Sequence, residues 1–239
     1  MVMHNTTQQL TRSDERMHTR FDWLDSRHSF SFGGHYDPER MGFGPLRVVN
    51  EDRVAPGGGF PAHPHSDMEI ISIVLEGGLA HRDSMGHGDV IRPGEVQVMS
   101  AGTGVTHSEF NDSETEPVHF LQIWIQPARA GSEPRYDQRA FDPAGRDGRL
   151  QLVASPDGAE GSLAIGQDAR VHLADLAEGQ TVEYGIEGKR RAWVQIAAGS
   201  VTIDDRTFGT GDGIAVEGTD IVTLRGAADD SKIVLFDLR

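Results

Sequence analysis

The chain has 239 residues and a mass of 26.0 kDa, enough to bury a sizeable core without covalent staples. It contains no cysteine, which excludes disulfides and thiolate metal sites and agrees with a reducing cytoplasm. With 22 basic against 37 acidic residues, its net charge of -15 repels nucleic-acid phosphate, and no apolar run is long enough to cross a bilayer as a helix. The expectation is a soluble cytoplasmic protein that binds neither nucleic acid nor membrane.

Residues 1–16 are polar and lack periodicity, so the expectation there is a flexible N-terminal segment. From Phe21 onward, short apolar runs alternate with Gly, Asp-Pro and Asn-Glu-Asp breaks. Leu46–Val49 reads as a short strand, and Gly57-Gly58-Gly59 as a turn into the next one. Ile70–Leu75 is nearly continuous in apolar residues, as in a barrel wall, and Gly77-Gly78 turns it back. Turns follow at Gly86-His87-Gly88 and Arg92-Pro93-Gly94, then strands at Val96–Met99 and Val118–Ile125. Many short strands with Gly and Pro turns predict an antiparallel β-barrel over residues 17–130.

Residues 131–149 carry Pro134, Pro143 and several Gly and Arg without sustained apolar periodicity, and read as a connector that Tyr136 and Phe141 pin to one half. A second β pattern fills residues 150–239. There, Trp193 to Gly199 followed by Gly211 to Val216 echoes Ile70 to Gly77 followed by Gly94 to Val98. The fold class predicted is therefore all-β, with two jelly-roll barrels in one chain. Ile233–Leu238 is expected to be a closing strand that reaches back to the N-terminal half.

Two stretches carry metal-ligand spacing. In an extended strand residues i and i+2 share a face, so His63 and His65 project together, and so do His107 and Glu109. With the two strands facing each other across a small barrel, three imidazoles and one carboxylate converge. Such N and O donors suit iron, nickel, manganese or copper. Glu69, four residues after His65, is a second candidate carboxylate, and only one of the two completes the set. The C-terminal half has His172 as its one histidine and no His-x-His, so no metal is expected there. Among the other histidines, His4, His18, His81 and His87 read as surface residues, and His28 and His35 as structural hydrogen-bonding groups. His119 is a candidate partner for a ligand, and Phe30, Phe32, Phe43 and Trp124 read as core.

These stretches match two cupin signatures, Gly57-x5-His63-x-His65-x3-Glu69 and Gly104-x2-His107-x3-Asn111. The chain further resembles the pirin family, and within it the bacterial quercetin dioxygenases. The likeness runs from about residue 16 to the C-terminus. It is carried by Trp23-Leu24-Asp25-Ser26, His28-Ser29-Phe30-Ser31-Phe32, Tyr36-Asp37-Pro38, Met41-Gly42-Phe43, Met68-Glu69-Ile70, Val74-Leu75-Glu76-Gly77, Met99 to Gly104 and His107-Ser108-Glu109.

The resemblance implies a ligand set of His63, His65, His107 and Glu109, with Glu69 lining the barrel. It implies one divalent transition metal per chain, Fe(II) foremost, with Cu, Ni, Co, Mn or Zn as alternatives. Four protein ligands on an octahedral metal leave two open positions, enough for substrate and dioxygen. The activity implied is a flavonol dioxygenase that opens the heterocycle of quercetin with O2 and releases CO, with Glu109 as catalytic base. Its partners would be a flavonol or other phenolic and O2. A second implied reading is a regulatory, iron-sensing protein that engages a protein partner through the same residues. A cupin sugar isomerase or epimerase fits these signatures less well, and fold alone does not decide among the three.

Overall fold

A computed structural model describes residues 7–239. The chain divides into two compact all-β units. One comprises residues 16–141 with 163–167. The other comprises residues 142–162 and 168–239, together with the N-terminal residues up to Glu15. Among the described residues the only helices are single 3₁₀ turns, and no helix is long and apolar enough to cross a membrane.

In the N-terminal unit one sheet has the order Arg135–Ala140, Glu95–Ser100, Glu69–Glu76, Val118–Ile125, Leu46–Val54, Leu24–His28, Met17–Arg20. The second sheet has the order Gly59–His65, Val105–Asn111, Leu79–Asp83, Gly88–Ile91. The strand pairs are antiparallel. Val54, Val74, Leu79, Ile91, Val118 and Phe120 form one buried cluster, and Ile70, Met99, Ala101 and Val105 another.

The C-terminal unit repeats this topology. Gly213–Glu217, Arg191–Ala198, Ser231–Leu238 and Ala169–Leu176 lie side by side, and Thr181–Gly185, Ile221–Gly226, Ser200–Ile203 and Arg206–Gly209 form its four-stranded sheet. The expected duplicated jelly roll is thus present. Ile233–Leu238, expected to reach back to the N-terminal half, pairs inside its own unit. It lies within Ser231–Leu238, which pairs with Ala169–Leu176 on one side and Arg191–Ala198 on the other.

Two stretches differ from the sequence reading for a shared reason. Strand edges expose unpaired N–H and C=O groups and need covering. Thr7–Thr11 covers one such edge by pairing with Gly213–Glu217, and His4 lies outside the described residues. Within the connector, Arg135–Ala140 covers the equivalent edge of the first unit by pairing with Glu95–Ser100. Both are polar, because a cover strand needs its backbone more than an apolar face. The strand from Leu46 also runs on to Val54 through the polar run Asn50-Glu51-Asp52-Arg53. Buried partners make this tolerable: Asn50 meets His28, Glu51 meets Arg16 and His119, and Asp52 meets Ser26.

Asp212 clamps the N-terminal strand. This buried carboxylate accepts the backbone N–H of Ser13 at 2.8 Å, Arg12 Nη1 at 3.0 Å and the N–H of Gly209 at 3.0 Å. Asp212→Ala strands these donors and should cost about 1–3 kcal/mol. At this chain length that lowers Tm by about 2–4 °C per kcal/mol. Amide exchange at residues 8–11 should accelerate selectively, and unchanged exchange there would show that the clamp is idle.

Candidate metal centre

Strand register builds the site. His107 lies directly opposite His63 on one side and opposite Asp83 on the other, and Glu109 lies opposite His81. Along Val105–Asn111 the burial alternates strictly, so Val105, His107, Glu109 and Asn111 face the interior. The neighbouring Gly59–His65 is the outer strand of its sheet, which tolerates Pro61 and Pro64 because one edge needs no N–H donors. Gly59 permits the close approach of the two strands: a Cβ there would sit 2.5 Å from the Glu109 carbonyl oxygen. Gly102, with φ +47°, makes the turn into the second strand, and a Cβ there would strike the Ser132 carbonyl.

One ring nitrogen from each of His63, His65 and His107 lies within 4.8 Å of the others. The ring centroids are 4.5–4.8 Å apart. His63 donates from Nδ1 to the Pro61 carbonyl at 2.8 Å, which leaves its Nε2 lone pair free. The Nε2 of His107 is buried and has no hydrogen-bond partner. Burial, and after it the charges of His63, His65 and His81, pushes His107 down to about 2. Burial and His63 push His65 down to about 4. Both rings are therefore neutral at physiological pH, the form that ligates metal.

Glu109, also buried, forms a second group with His107 and His81, whose ligand atoms lie within 4.8 Å of one another, so that His107 is shared between the two groups. Gln122 Nε2 donates to both its oxygens at 2.9 and 2.8 Å, and Ser72 Oγ donates at 3.5 Å. These donors favour the carboxylate, but burial outweighs them and raises Glu109 to about 7. Three imidazoles, one carboxylate and an orphaned buried nitrogen fit a divalent transition metal. Among the described residues both groups with this geometry lie in the N-terminal unit.

Glu69 is held elsewhere, by strand parity. Ser72 and Gln122, opposite each other, turn toward Glu109, and Glu69, three residues from Ser72, falls on the other face. There it accepts from Ser100 Oγ at 2.6 Å. His119, three residues from Gln122, likewise turns away and meets Glu51 at 3.0 Å.

His81 is buried against His107 rather than on the surface, because its turn-like sequence sits in the strand Leu79–Asp83. His87 and His18 are exposed, and His28 and His35 both meet the Thr19 hydroxyl. Phe30 and Phe43 are core, as expected. Phe32 and Trp124 instead line a cavity of about 350 Å³ that reaches His63, His65 and Glu109. Phe21, Trp23, Leu24 and Phe60 complete its apolar wall, and Ser26, His28, Asn50, Asp52 and Gln122 form its polar end. Trp124 stands edge-on to His65 at 4.9 Å and to Phe32 at 5.4 Å. Asp52 is raised to about 7 by burial, with the nearby Glu109 charge adding to it and the Ser26 hydroxyl opposing. Alternation would place Asp52 beside Asn50 on the cavity face, but its burial had no sequence signal.

Because the Glu109 value in the fold lies above its ordinary 4.5, its contribution to stability is present at low pH and lost as pH rises through about 7. Glu109→Gln lacks that loss. In metal-free protein, the Tm difference between variant and wild type should therefore move in favour of the variant from about pH 5 to about pH 8. A difference independent of pH would show that Glu109 is not buried as a carboxylate.

The Pirin family model matches residues 10–125, and a quercetinase C-terminal cupin domain model matches residues 152–238. A quercetin 2,3-dioxygenase of Escherichia coli is 46% identical over 96% of this chain and 97% of that protein. The crystal structure of YhhW from Escherichia coli is similar with a TM-score of 0.93 and 44% identity, covering 98% of each chain. A structure of the bacterial pirin YhhW in complex with nickel(II) gives a TM-score of 0.92 and 44% identity over 97% of this chain and 99% of that one. A pirin-like protein of Caulobacter vibrioides is 40% identical over 90% of this chain and 92% of its own length. The chain belongs to the pirin family.

Proposed function

We propose that this pirin is a metal-dependent dioxygenase that opens the heterocycle of a flavonol such as quercetin, consuming O2 and releasing CO. The observation that carries the reading is the orphaned Nε2 of His107, on a ring packed against those of His63 and His65 at 4.5 and 4.8 Å, next to an aromatic-walled cavity that reaches His63, His65 and Glu109. In this reading His63, His65, His107 and Glu109 hold one divalent transition metal, Fe(II) foremost, in the cytoplasm. When bound, the metal supplies Lewis acidity and open positions for a flavonol oxygen and dioxygen.

The chain's own residues do the rest. Phe32 and Trp124 grip the flat rings, and the cavity is of the size that holds small ligands. Ser26, Asn50 and Asp52 offer hydrogen bonds to phenolic hydroxyls. Glu109 takes the proton of the flavonol 3-hydroxyl. A bound cation favours its ionised form, which is the form that accepts a proton. The relatives named as quercetin dioxygenases support the substrate class.

Oxygen uptake with quercetin tests this. Glu109→Gln should keep measurable metal yet lower turnover by about 10²- to 10⁴-fold, the range of a lost general base. Glu69→Gln should change turnover little, since Glu69 faces away from the cluster. Loss of metal and turnover on changing Glu69 but not Glu109 would reverse the roles. A metal-loaded wild type that consumes no oxygen would favour the regulatory reading.

A further inference from the structure

The proposed ligand set leaves unexplained why His107 presents a bare Nε2. The answer begins at Asp83, whose side chain is wholly buried beneath the site. Its carboxylate accepts from the backbone N–H groups of Met85 at 2.9 Å and His87 at 3.0 Å, and from His87 Nδ1 at 3.1 Å. It also meets His81 Nε2 at 3.3 Å. Backbone N–H groups can only donate, so two of them converging on one oxygen favour the ionised carboxylate. An ionised carboxylate only accepts hydrogen bonds, so His81 must carry its proton on Nε2.

The rest follows atom by atom. With Nε2 protonated, the Nδ1 of neutral His81 is a lone pair. Two groups face it: the amide nitrogen of Gln97, a donor, at 3.4 Å, and the Nδ1 of His107, also at 3.4 Å. Two lone pairs at that distance would repel, so His107 Nδ1 carries the hydrogen. A neutral imidazole has one N–H, and His107 Nε2 is left bare and unpartnered in the buried site. The His81 ring cannot easily turn out of line, because Tyr136 stacks on it at 4.9 Å and 23°. The Tyr136 hydroxyl is tied to Gln138 at 2.7 Å.

We propose that Asp83 and His81 are positioning residues that lock His107 in the tautomer whose Nε2 faces a metal, an imidazole-to-imidazole support in place of the usual direct carboxylate. This rests on the metal-centre reading above. His81 then acts through His107, and Asp83 through His81, with Asp83 also lending its charge to make His107 a stronger donor.

Metal-free wild type labelled with 15N decides the first half by two-bond 1H–15N correlation of the imidazoles. The expected spectrum shows His107 protonated at Nδ1 and His81 protonated at Nε2; the reverse pattern at either ring overturns the proposal. Nickel(II) titration against a competing chelator decides the second half. His81→Phe should weaken nickel binding by about 10- to 100-fold, the range of lost outer partners. His81→Gln, whose side-chain oxygen can still accept from His107, should recover most of it. Asp83→Asn should weaken binding alone but add nothing to His81→Phe. Equal losses for Phe and Gln at position 81, or additive losses for the pair, would overturn the proposal. Should the Phe variant not fold, the comparison of Gln with wild type and the wild-type spectrum still decide it. Wild type that bound no nickel would sink the metal reading, while the tautomer spectrum would still judge the support.

Discussion

The structure depends on one strand register. Val105–Asn111 runs between Gly59–His65 and Leu79–Asp83, and pairing on both sides places His63, Asp83 and His81 around His107 and Glu109. A slip of one residue would turn every one of these side chains to the opposite face. The register is held by buried neighbours at both ends, Val105 in one apolar cluster and Asn111 through its amide to the carbonyls of Val54 and Glu116. A bulge between His107 and Glu109 lets the ladder absorb the mismatch between its two partners without losing the alternation.

That arrangement is electrostatically unfavourable without a cation. Two neutral imidazoles with depressed values, a carboxylate raised to about 7 and a buried nitrogen without partner lie together. Buried polar groups left so incompletely paired cost free energy, and a fold retains them where a ligand completes the set. The second unit makes the contrast. Its four-stranded sheet turns Val182, Val201, Val222 and Leu224 into an apolar core, and Asp237 in this unit meets Arg170, Arg190 and Tyr184. The same architecture thus carries a candidate metal-binding group in one copy and a packed apolar core in the other.

The site's inner ring was legible because strand geometry is periodic. Two pairs at i and i+2 state their own facing, and the paired signatures supplied their context. Parity also separates Glu69 from Glu109, but only once Ser72 and Gln122 are known to turn inward, and no single stretch of sequence says so. His81 was missed because Gly77-Gly78 before it and Gly86-His87-Gly88 after it look like turns, and the five-residue strand between them ends on the charged pair Arg82-Asp83. Phe32 and Trp124 were read as core, since an aromatic residue facing a cavity has the same pattern as one facing other side chains. The cover strands Thr7–Thr11 and Arg135–Ala140 were invisible for a different reason: they contribute backbone hydrogen bonds, which composition does not encode.

Anomalous scattering from crystals of the full chain loaded with nickel(II) tests the central claim most directly. The account predicts one strong peak per chain, about 2.1 Å from one nitrogen each of His63, His65 and His107 and from a Glu109 oxygen. A peak bound by Glu69 or His81 in place of Glu109, or a peak within the C-terminal unit, would contradict it.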